Sequence, residues 1–267
     1  MEIKKYQVNN TLLKKLVKYF WVINSSQQLT INHKLLPVGN IDLILNLSSP
    51  IKYSSDKDSE TIATEIHFNG LRKSYSWIKQ SGSLYVIGIS LYPIGAYPIL
   101  QAPLCQFANK TVALNLVNRR LNNNLLAVLD PSFPIQIQLD LIEKLLIESI
   151  DTAFMLPKAT LILNAFSLAD SNLSVYHFCE KFGVHQRKLE RYFNSYVGTS
   201  PKSFRRLTRF QTLLSQIING NYDNMTMLAY DYDYYDQTHF LKDFKLFTGC
   251  SPAQFLQEKA SVKQIML

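Results

Sequence analysis

The chain has 267 residues, of which 47% are hydrophobic and 18% are charged, so it can bury a core and is not disordered throughout. Its 28 Lys and Arg residues exceed its 20 Asp and Glu residues, which gives a net charge of +8 and favours an anionic partner. Residues 181–211 concentrate this excess, with eight basic residues and one acidic residue, Glu190. The length fits one large domain or two ordinary ones.

Neither a disulfide framework nor a membrane span is expected. The three cysteines are scattered and odd in number, which favours reduced thiols and a cytoplasmic location. The N-terminus has no apolar signal core. Residues 80–109 carry no charge, but glycines and prolines interrupt them, so they are interpreted as buried strands and turns, and no contact with a membrane is predicted.

The first half of the chain is predicted to be rich in strands. The segments 41–47 and 84–92 have the length and apolar pattern of strands. From residue 135 to 150, apolar residues follow at helical spacing. This amphipathic helix either packs on its own domain or pairs with a second subunit, and both alternatives stay open. Residues 155–170 are interpreted as the connection to the next domain, so the predicted boundary lies between 1–155 and 156–267.

The last hundred residues contain an internal repeat. The segment Gly198-Thr-Ser-Pro-Lys-Ser-Phe204 returns as Gly249-Cys-Ser-Pro-Ala-Gln-Phe255, and the preceding residues match at nearly the same offset. Two copies of one supersecondary unit explain such a repeat better than chance does.

Each copy is predicted to be a helix-turn-helix unit. In the first, about 174–197, Ser174 is the expected N-cap of a short helix, and Gly183 is expected to end it in the left-handed conformation. A second amphipathic helix then runs to Gly198. A long helix, about 201–219, would span roughly 28 Å. The second unit is expected at about 225–248, with Asp236 as the N-cap of its second helix.

The outward faces of these helices carry the candidate DNA contacts, because a major groove accepts a helix and arginine can pair bidentately with guanine there. For a single helix, an ordinary solvated polar face is the alternative interpretation, and the repeat and the charge favour DNA. The candidates are Gln186, Arg187, Lys188, Glu190 and Arg191 in the first unit, Arg205, Arg206 and Arg209 on the long helix, and Gln237, Thr238, His239 and Lys242 in the second unit. The first unit and the long-helix arginines are expected to supply most of the phosphate affinity.

The C-terminal hundred residues resemble the DNA-binding region of AraC/XylS-type transcription regulators. The carrying residues are Leu189-Glu-Arg-Tyr-Phe193 with Gly198-Thr-Ser-Pro201, and Asp236-Gln-Thr-His-Phe-Leu-Lys-Asp-Phe-Lys245 with Gly249-Cys-Ser-Pro252. The resemblance implies two helix-turn-helix units joined by a long helix on one face of double-stranded promoter DNA. It places base-reading positions on Arg187, Glu190, Arg191, Gln237, Thr238, His239 and Lys242. The chain departs from the family pattern at His185, where Ser is usual, and at Asp233, where Gly is usual.

The N-terminal part resembles, less specifically, the cupin-like sensor or dimerisation domains of such regulators, through the segments 36–45 and 88–95. The expected fold class is therefore α+β: a β-rich N-terminal domain with flanking helices, followed by an all-α domain. The resemblance implies a small-molecule effector or a homodimer, through this domain or through helix 135–150, and activation by recruitment of RNA polymerase. The sequence does not identify effector-binding residues.

An enzymatic function is not predicted. Only His33 and His67 lie in the first domain, without the spacing of a metal site, and no phosphate-binding glycine loop or nucleophile elbow is present. No catalytic residue, metal or cofactor is therefore expected. The sequence predicts a sequence-specific DNA-binding transcription regulator, an activator under effector control. The alternatives are an N-terminal domain that binds a protein partner instead, and a mostly non-specific DNA binder.

Overall fold

An antiparallel sheet occupies the N-terminal part of the molecule. The structure, a computed structural model, describes residues 3–55, 60–63, 65–169 and 173–262, with side chains up to residue 257, so the end of the predicted second domain, 263–267, lies outside the described residues. Within the described ranges the strands are Ile3–Tyr6 (β1), Val17–Leu35 (β2), Ile41–Asn46 (β3), Ile51–Ser54 (β4), Thr61–Ala63 (β5), Ile66–Asn69 (β6), Ser76–Leu91 (β7) and Thr111–Ala113 (β8).

Two long strands organise this sheet. Its order is β1-β2-β7-β3-β6-β8, and β4 pairs with β7 and with β5. The register of β2 against β7 shifts between Ser25 and Leu29, and such an irregularity bends a strand. On its other edge, β7 pairs with β3 through its second half and with β4 through its first half. The predicted strands at 41–47 and 84–92 are confirmed as β3 and as the second half of β7.

The two faces of the sheet bury different cores. Side chains alternate along a strand, so Leu43 and Leu45 join the cluster beneath the flanking helices, while Ile44 joins a second cluster on the opposite face. The flanking helices are Pro93–Leu100 (α1), Arg119–Val128 (α2) and Ile135–Ser149 (α3). The charge-free stretch 80–109 thus forms a buried strand, α1 and a 3-10 turn. No helix among the described residues is long and apolar enough to cross a membrane.

Helix α3 packs against its own domain through Leu139, Ile142 and Leu146, which are all at most 2% exposed. Glu143 is buried on the same side, although its charge suggests an outward position. Its carboxylate accepts backbone N–H groups of Asn9 at 2.7 Å and Asn10 at 3.0 Å. This carboxylate therefore anchors the segment between β1 and β2 to α3.

The C-terminal part is helical. Its described helices are Pro157–Leu168 (α4), Val175–Lys181 (α5), Gln186–Tyr196 (α6), Pro201–Asn219 (α7), Met225–Asp231 (α8), Gln237–Thr248 (α9) and Pro252–Val262 (α10). The interpretation of 155–170 as a simple connection is wrong, because α4 buries Ala159, Ile162, Leu163 and Phe166 in the helical core. The α+β class, with a β-rich N-terminal part and a helical C-terminal part, is confirmed.

The two parts share one apolar core. Leu36, Leu71 and Ile94 of the N-terminal part lie in the same buried cluster as the C-terminal helices. The rings of Tyr97 in α1 and Tyr196 in α6 meet at 4.4 Å between centroids. The sheet-bearing part therefore packs directly on the helical part.

Glu143→Ala tests the anchoring carboxylate. Two backbone N–H groups lose their acceptor, and a hydrogen bond to a charged group contributes about 1.5–3 kcal/mol. We expect the melting temperature to fall by roughly 4–8 °C for about 2 kcal/mol, measured by circular dichroism. Glu148→Ala removes an exposed carboxylate from the same helix and should change the melting temperature by little; equal shifts for both variants would contradict the anchoring role.

Candidate DNA-binding interface

The first helix-turn-helix unit consists of α5 and α6. Ser174 caps α5 by accepting the His177 N–H at 3.1 Å, and Gly183 has φ of 59° in the turn, both as predicted. His185 caps α6, because its Nδ1 accepts the Arg187 N–H at 3.3 Å. An imidazole nitrogen thus performs the capping function of the serine that is usual in the family.

Helix α6 separates its two faces cleanly. Leu189, Phe193 and Tyr196 are at most 2% exposed, and Tyr192 is buried beside them. Arg187 and Arg191, one turn apart, are exposed on the opposite side. Gln186 donates to the Glu190 carboxylate at 3.0 Å, while the ammonium of Lys188 lies 5.8 Å from the Tyr192 ring. The structure therefore leaves two arginines and an amide–carboxylate pair on the outer face.

Helix α7 joins the two units as the predicted long helix. It begins with the Ser200 cap and Pro201, and it ends at Gly220, which has φ of 75°. Its buried stripe contains Phe204, Leu207, Phe210, Leu213, Leu214, Ile217 and Ile218. Phe204 contacts Phe193 of the first unit, while Phe210 contacts Phe244 and Phe247 of the second. The helix is therefore a common core element for both units.

Arginine side chains of α7 engage partners within the protein. Arg206 donates from Nε to the Asp243 carboxylate at 2.9 Å and from its terminal nitrogen to the same oxygen. Arg209 donates to the Asp233 carbonyl oxygen at 3.1 Å, and its guanidinium lies 4.3 Å from the Tyr234 ring centroid. The Arg205 guanidinium lies 4.3 Å from the Phe166 ring centroid. These contacts give the three predicted phosphate ligands a structural role that their charge did not reveal.

Asp243 is the acceptor at the centre of this arrangement. Its side chain is fully buried on the inner face of α9, and Arg209 lies 3.8 Å from its second carboxylate oxygen. The hydrogen bonds to this carboxylate raise the pKa of Arg206. A buried carboxylate between two guanidinium groups links α7 to the second unit.

The second unit consists of α8 and α9. Asn224 caps α8, and Asp236 caps α9 by accepting the His239 N–H at 2.6 Å, as predicted. Asp233 adopts φ of 58° in the turn, so it takes the left-handed position of the usual glycine, as expected. Tyr234, which follows this turn residue, is 2% exposed and packs against His239 and Phe240. Burial and the nearby Asp243 carboxylate raise its pKa.

The outer face of α9 is polar and modestly charged. Gln237, Thr238 and Lys242 are exposed, and His239 is half-buried against Tyr234. Sequence reasoning missed two further exposed side chains beside this face, Tyr235 and Lys245. Because Asp236 is used in capping and Asp243 is paired inside, this unit presents fewer free acidic groups than its sequence suggests.

The geometry defines a protein with two helix-turn-helix units on one rigid connecting helix. Each unit exposes a helix with polar and cationic side chains, which is the arrangement that enters a DNA major groove. Among the described residues, no group of His, Cys, Asp or Glu side chains could hold a metal ion.

Comparison with known proteins supports this class. Residues 178–258 match the model of a helix-turn-helix domain, and residues 10–113 match a domain of unknown function, DUF6597. No curated protein matches the chain. Residues 178–258 therefore contain an AraC-type helix-turn-helix domain, and this match supports a DNA-binding transcription regulator and not an enzyme.

Similar solved structures include ToxT from Vibrio cholerae O395, with 12% identity and a TM-score of 0.45, covering 89% of this chain and 96% of that one. ToxT from Vibrio cholerae O395 bound to (E)-4-(8-methylnaphthalen-1-yl)but-3-enoic acid has 11% identity and a TM-score of 0.46, covering 97% and 100%. The AraC-like transcriptional activator CuxR has 13% identity and a TM-score of 0.28, covering 80% and 86%.

Asp243→Ala tests the link between α7 and the second unit. Removing one partner of a buried ion pair leaves the others uncompensated, at about 3 kcal/mol. We expect a clear fall in melting temperature, measured by calorimetry. Lys245→Ala, an exposed change on the same helix, is the control, and a stability of Asp243→Ala equal to that of the control would contradict the role given to this carboxylate.

Proposed function

We propose that the protein is a sequence-specific transcription activator that reads two adjacent major-groove segments with α6 and α9. The supporting observation is that one continuous 19-residue helix, α7, packs against both units. Its length of roughly 28 Å suits half-sites about one turn of DNA apart, near 34 Å. Promoter DNA is thus the partner, and recruitment of RNA polymerase is the proposed mode of activation.

Helix α6 is assigned the larger share of specificity. Arg187 and Arg191 are exposed and one helical turn apart, so both can reach base edges from a helix lying in the groove. The hydrogen bond from Gln186 orients the Glu190 carboxylate, which can then accept a hydrogen bond from the exocyclic amine of cytosine. Lys188, at the flank of this face, is assigned to a phosphate.

Helix α9 is assigned a weaker, mainly polar readout. Gln237 and Thr238 stand at its exposed N-terminal turn, and Lys242 follows one turn later. His239 is half-buried and contributes through the edge of its ring that Tyr234 leaves uncovered. The single cation on this set gives it less phosphate attraction than α6 has.

For the α7 arginines we propose a primarily positioning role. Of the two arginines that contact Asp243, Arg209 is the more buried. Its side chain is 16% exposed, whereas the side chain of Arg206 is 44% exposed. Arg206 can therefore contribute to a phosphate contact from its exposed edge while it holds Asp243. Arg205 and Arg209 act by fixing α7 against its neighbours.

Residues 1–155 are proposed as the regulatory domain and 156–267 as the DNA-binding domain. Control is supported by the contact of α6 with the regulatory domain: the Tyr196 ring meets the Tyr97 ring edge to face, and the Tyr196 hydroxyl donates to the Phe154 carbonyl oxygen at 2.8 Å. A change in the regulatory domain can therefore reach the base-reading helix through this ring pair and this hydrogen bond. We propose a small-molecule effector, with homodimerisation through the exposed side of α3, where Ile137 is 49% exposed.

The decisive experiment selects bound duplexes from a random pool with the full chain at two salt concentrations. Two half-motifs about one helical turn apart are expected. Enrichment of no sequence, with binding that disappears as salt rises, would instead indicate non-specific phosphate attraction. A protein partner in place of a small effector would appear as an increased mass in solution.

Arg187→Ala and Arg191→Ala test the assignment of α6. Each should weaken binding to the selected site by about 1–3 kcal/mol and relax the preference at one base position, measured by titration against a panel of single-base variants. Arg120→Ala removes one exposed positive charge from α2 and is the matched control. If both arginine variants lose affinity equally on every sequence, α6 does not read bases.

A further inference from the structure

The regulatory domain contains a cavity of about 140 Å³. It lies between the long strands β2 and β7 and their neighbours, on the face of the sheet opposite the flanking helices. Most of its wall is aliphatic, formed by Ile3, Ile23, Ile31, Leu35, Leu36, Val38, Ile44, Ile51, Ile78 and Val86. An apolar cavity of this size accommodates a molecule about as large as benzene.

Aromatic residues form another part of the wall. Trp21, Tyr19 and Tyr53 line the cavity. Gly88 makes room for the indole, because a Cβ atom at this position would lie 1.8 Å from the ring of Trp21. A flat, partly aromatic wall favours a ring-shaped ligand.

One carboxyl group distinguishes this cavity from a purely apolar one. Asp42 lines it and is half-buried, and among the described residues its carboxyl is the one acidic group on this wall. Burial raises the pKa of this carboxyl, while hydrogen bonds with Ser90 and Trp21 act in the opposite direction. A carboxyl group can accept more than one hydrogen bond, so a ligand that donates a hydrogen bond would gain at this point.

Charge limits what can enter. A carboxylate ligand would meet the carboxyl of Asp42 in a setting that penalises unpaired charge. Two exposed ammonium groups, Lys5 and Lys18, lie 4.7 Å and 5.6 Å from the ring centroid of Tyr19. Because Lys5 and Tyr19 both line the cavity, these ammonium groups disfavour a cationic ligand. An uncharged ligand avoids both penalties.

We propose that this cavity binds a small, uncharged, ring-shaped molecule that donates one hydrogen bond to Asp42, such as an aromatic alcohol or a compound of similar chemistry. The proposal deepens the proposed effector control and rests on it only for the effect of the ligand on DNA binding. Asn69 and Tyr53 also line the cavity and supply further polar atoms there.

The test measures binding of four probes on one ring to the full chain by calorimetry: benzyl alcohol, benzylamine, benzoate and toluene. Benzyl alcohol is expected to bind at least about tenfold more tightly than either charged probe or toluene. The charged probes would bury an unpaired charge, and toluene cannot donate a hydrogen bond to Asp42. Tightest binding of benzoate or of benzylamine, equal binding of toluene and benzyl alcohol, or binding of no probe would overturn the proposal.

Two variants locate the binding. In Asp42→Asn the disadvantage of benzoate against benzyl alcohol should shrink to within about threefold, because the repelling carboxyl is gone. Val38→Phe fills the cavity from a half-buried loop position and should abolish binding of all four probes. Asp140→Asn, an exposed change on α3, should leave the order of affinities as in the wild type; unchanged probe affinities in both Asp42→Asn and Val38→Phe would place the binding elsewhere.

The outcomes distinguish a failure of the cavity assignment from a failure of the proposed DNA-binding function. Recovery of a two-part DNA site with none of the four probes bound would overturn the cavity assignment alone. The expected order of probe affinities, together with DNA affinity that benzyl alcohol does not change, would support the cavity and contradict effector control. Enrichment of no DNA sequence, in the presence or absence of benzyl alcohol, would contradict the proposed sequence-specific function without touching the probe measurements.

Discussion

The buried stripe of α7 is the constraint on which the DNA-binding half depends. One face of this helix packs on Phe193 of the first unit and on Phe244 and Phe247 of the second. A helix whose apolar residues are buried at both ends cannot turn relative to either unit without exposing them, and fully burying a large apolar side chain is worth about 1.5–3 kcal/mol. The distance between α6 and α9 is therefore a property of the core and not of a flexible linker.

Charge in this protein has two separate uses. The cations of α6 face outward, where solvent screens them until an anion arrives. On α7, Arg206 and Arg209 instead direct their guanidinium groups to the Asp243 carboxylate, which lies between them. A buried carboxylate of this kind specifies one arrangement of helices, because any other arrangement would leave it unpaired. The same local excess of basic residues thus supplies both the outward cationic face of α6 and the internal ion pair with Asp243.

The N-terminal half is connected to α6 over a short path. The Tyr97–Tyr196 ring pair joins α1 to the C-terminal end of α6, and Gly198, just beyond that end, lies so close to the Leu104 carbonyl that a Cβ atom would be 2.9 Å from its oxygen. The side chain of Gln211 on α7 donates to the Pro37 carbonyl at 3.3 Å, in the loop that also lines the cavity of the sheet. Cavity, loop and α7 are therefore neighbours in space, although more than 170 residues separate Pro37 from Gln211 in sequence.

Much of the DNA-binding half follows from the sequence alone. The repeat and the capping residues Ser174 and Asp236 placed both units, because a cap acts on backbone N–H groups only two or three residues away. Asp233 took the left-handed position expected from the family pattern for the same reason: a turn is a local conformational requirement. The outward exposure of Arg187 and Arg191 follows from the helical period.

Only the tertiary structure decided where long side chains find their partners. The sequence assigned Arg206 and Arg209 to DNA, and it did not distinguish Asp243 from a surface carboxylate, since their contact joins residues 37 positions apart. Residues 155–170 were interpreted as a connection because the apolar face of α4 is recognisable only from its packing against α6 and α7. The sequence did not place Asp42 in a cavity, because that requires strands far apart in sequence to pair. Local hydrogen bonding and helical periodicity depend on residues that are close in sequence. Burial and charge pairing depend instead on which distant segments the fold brings together.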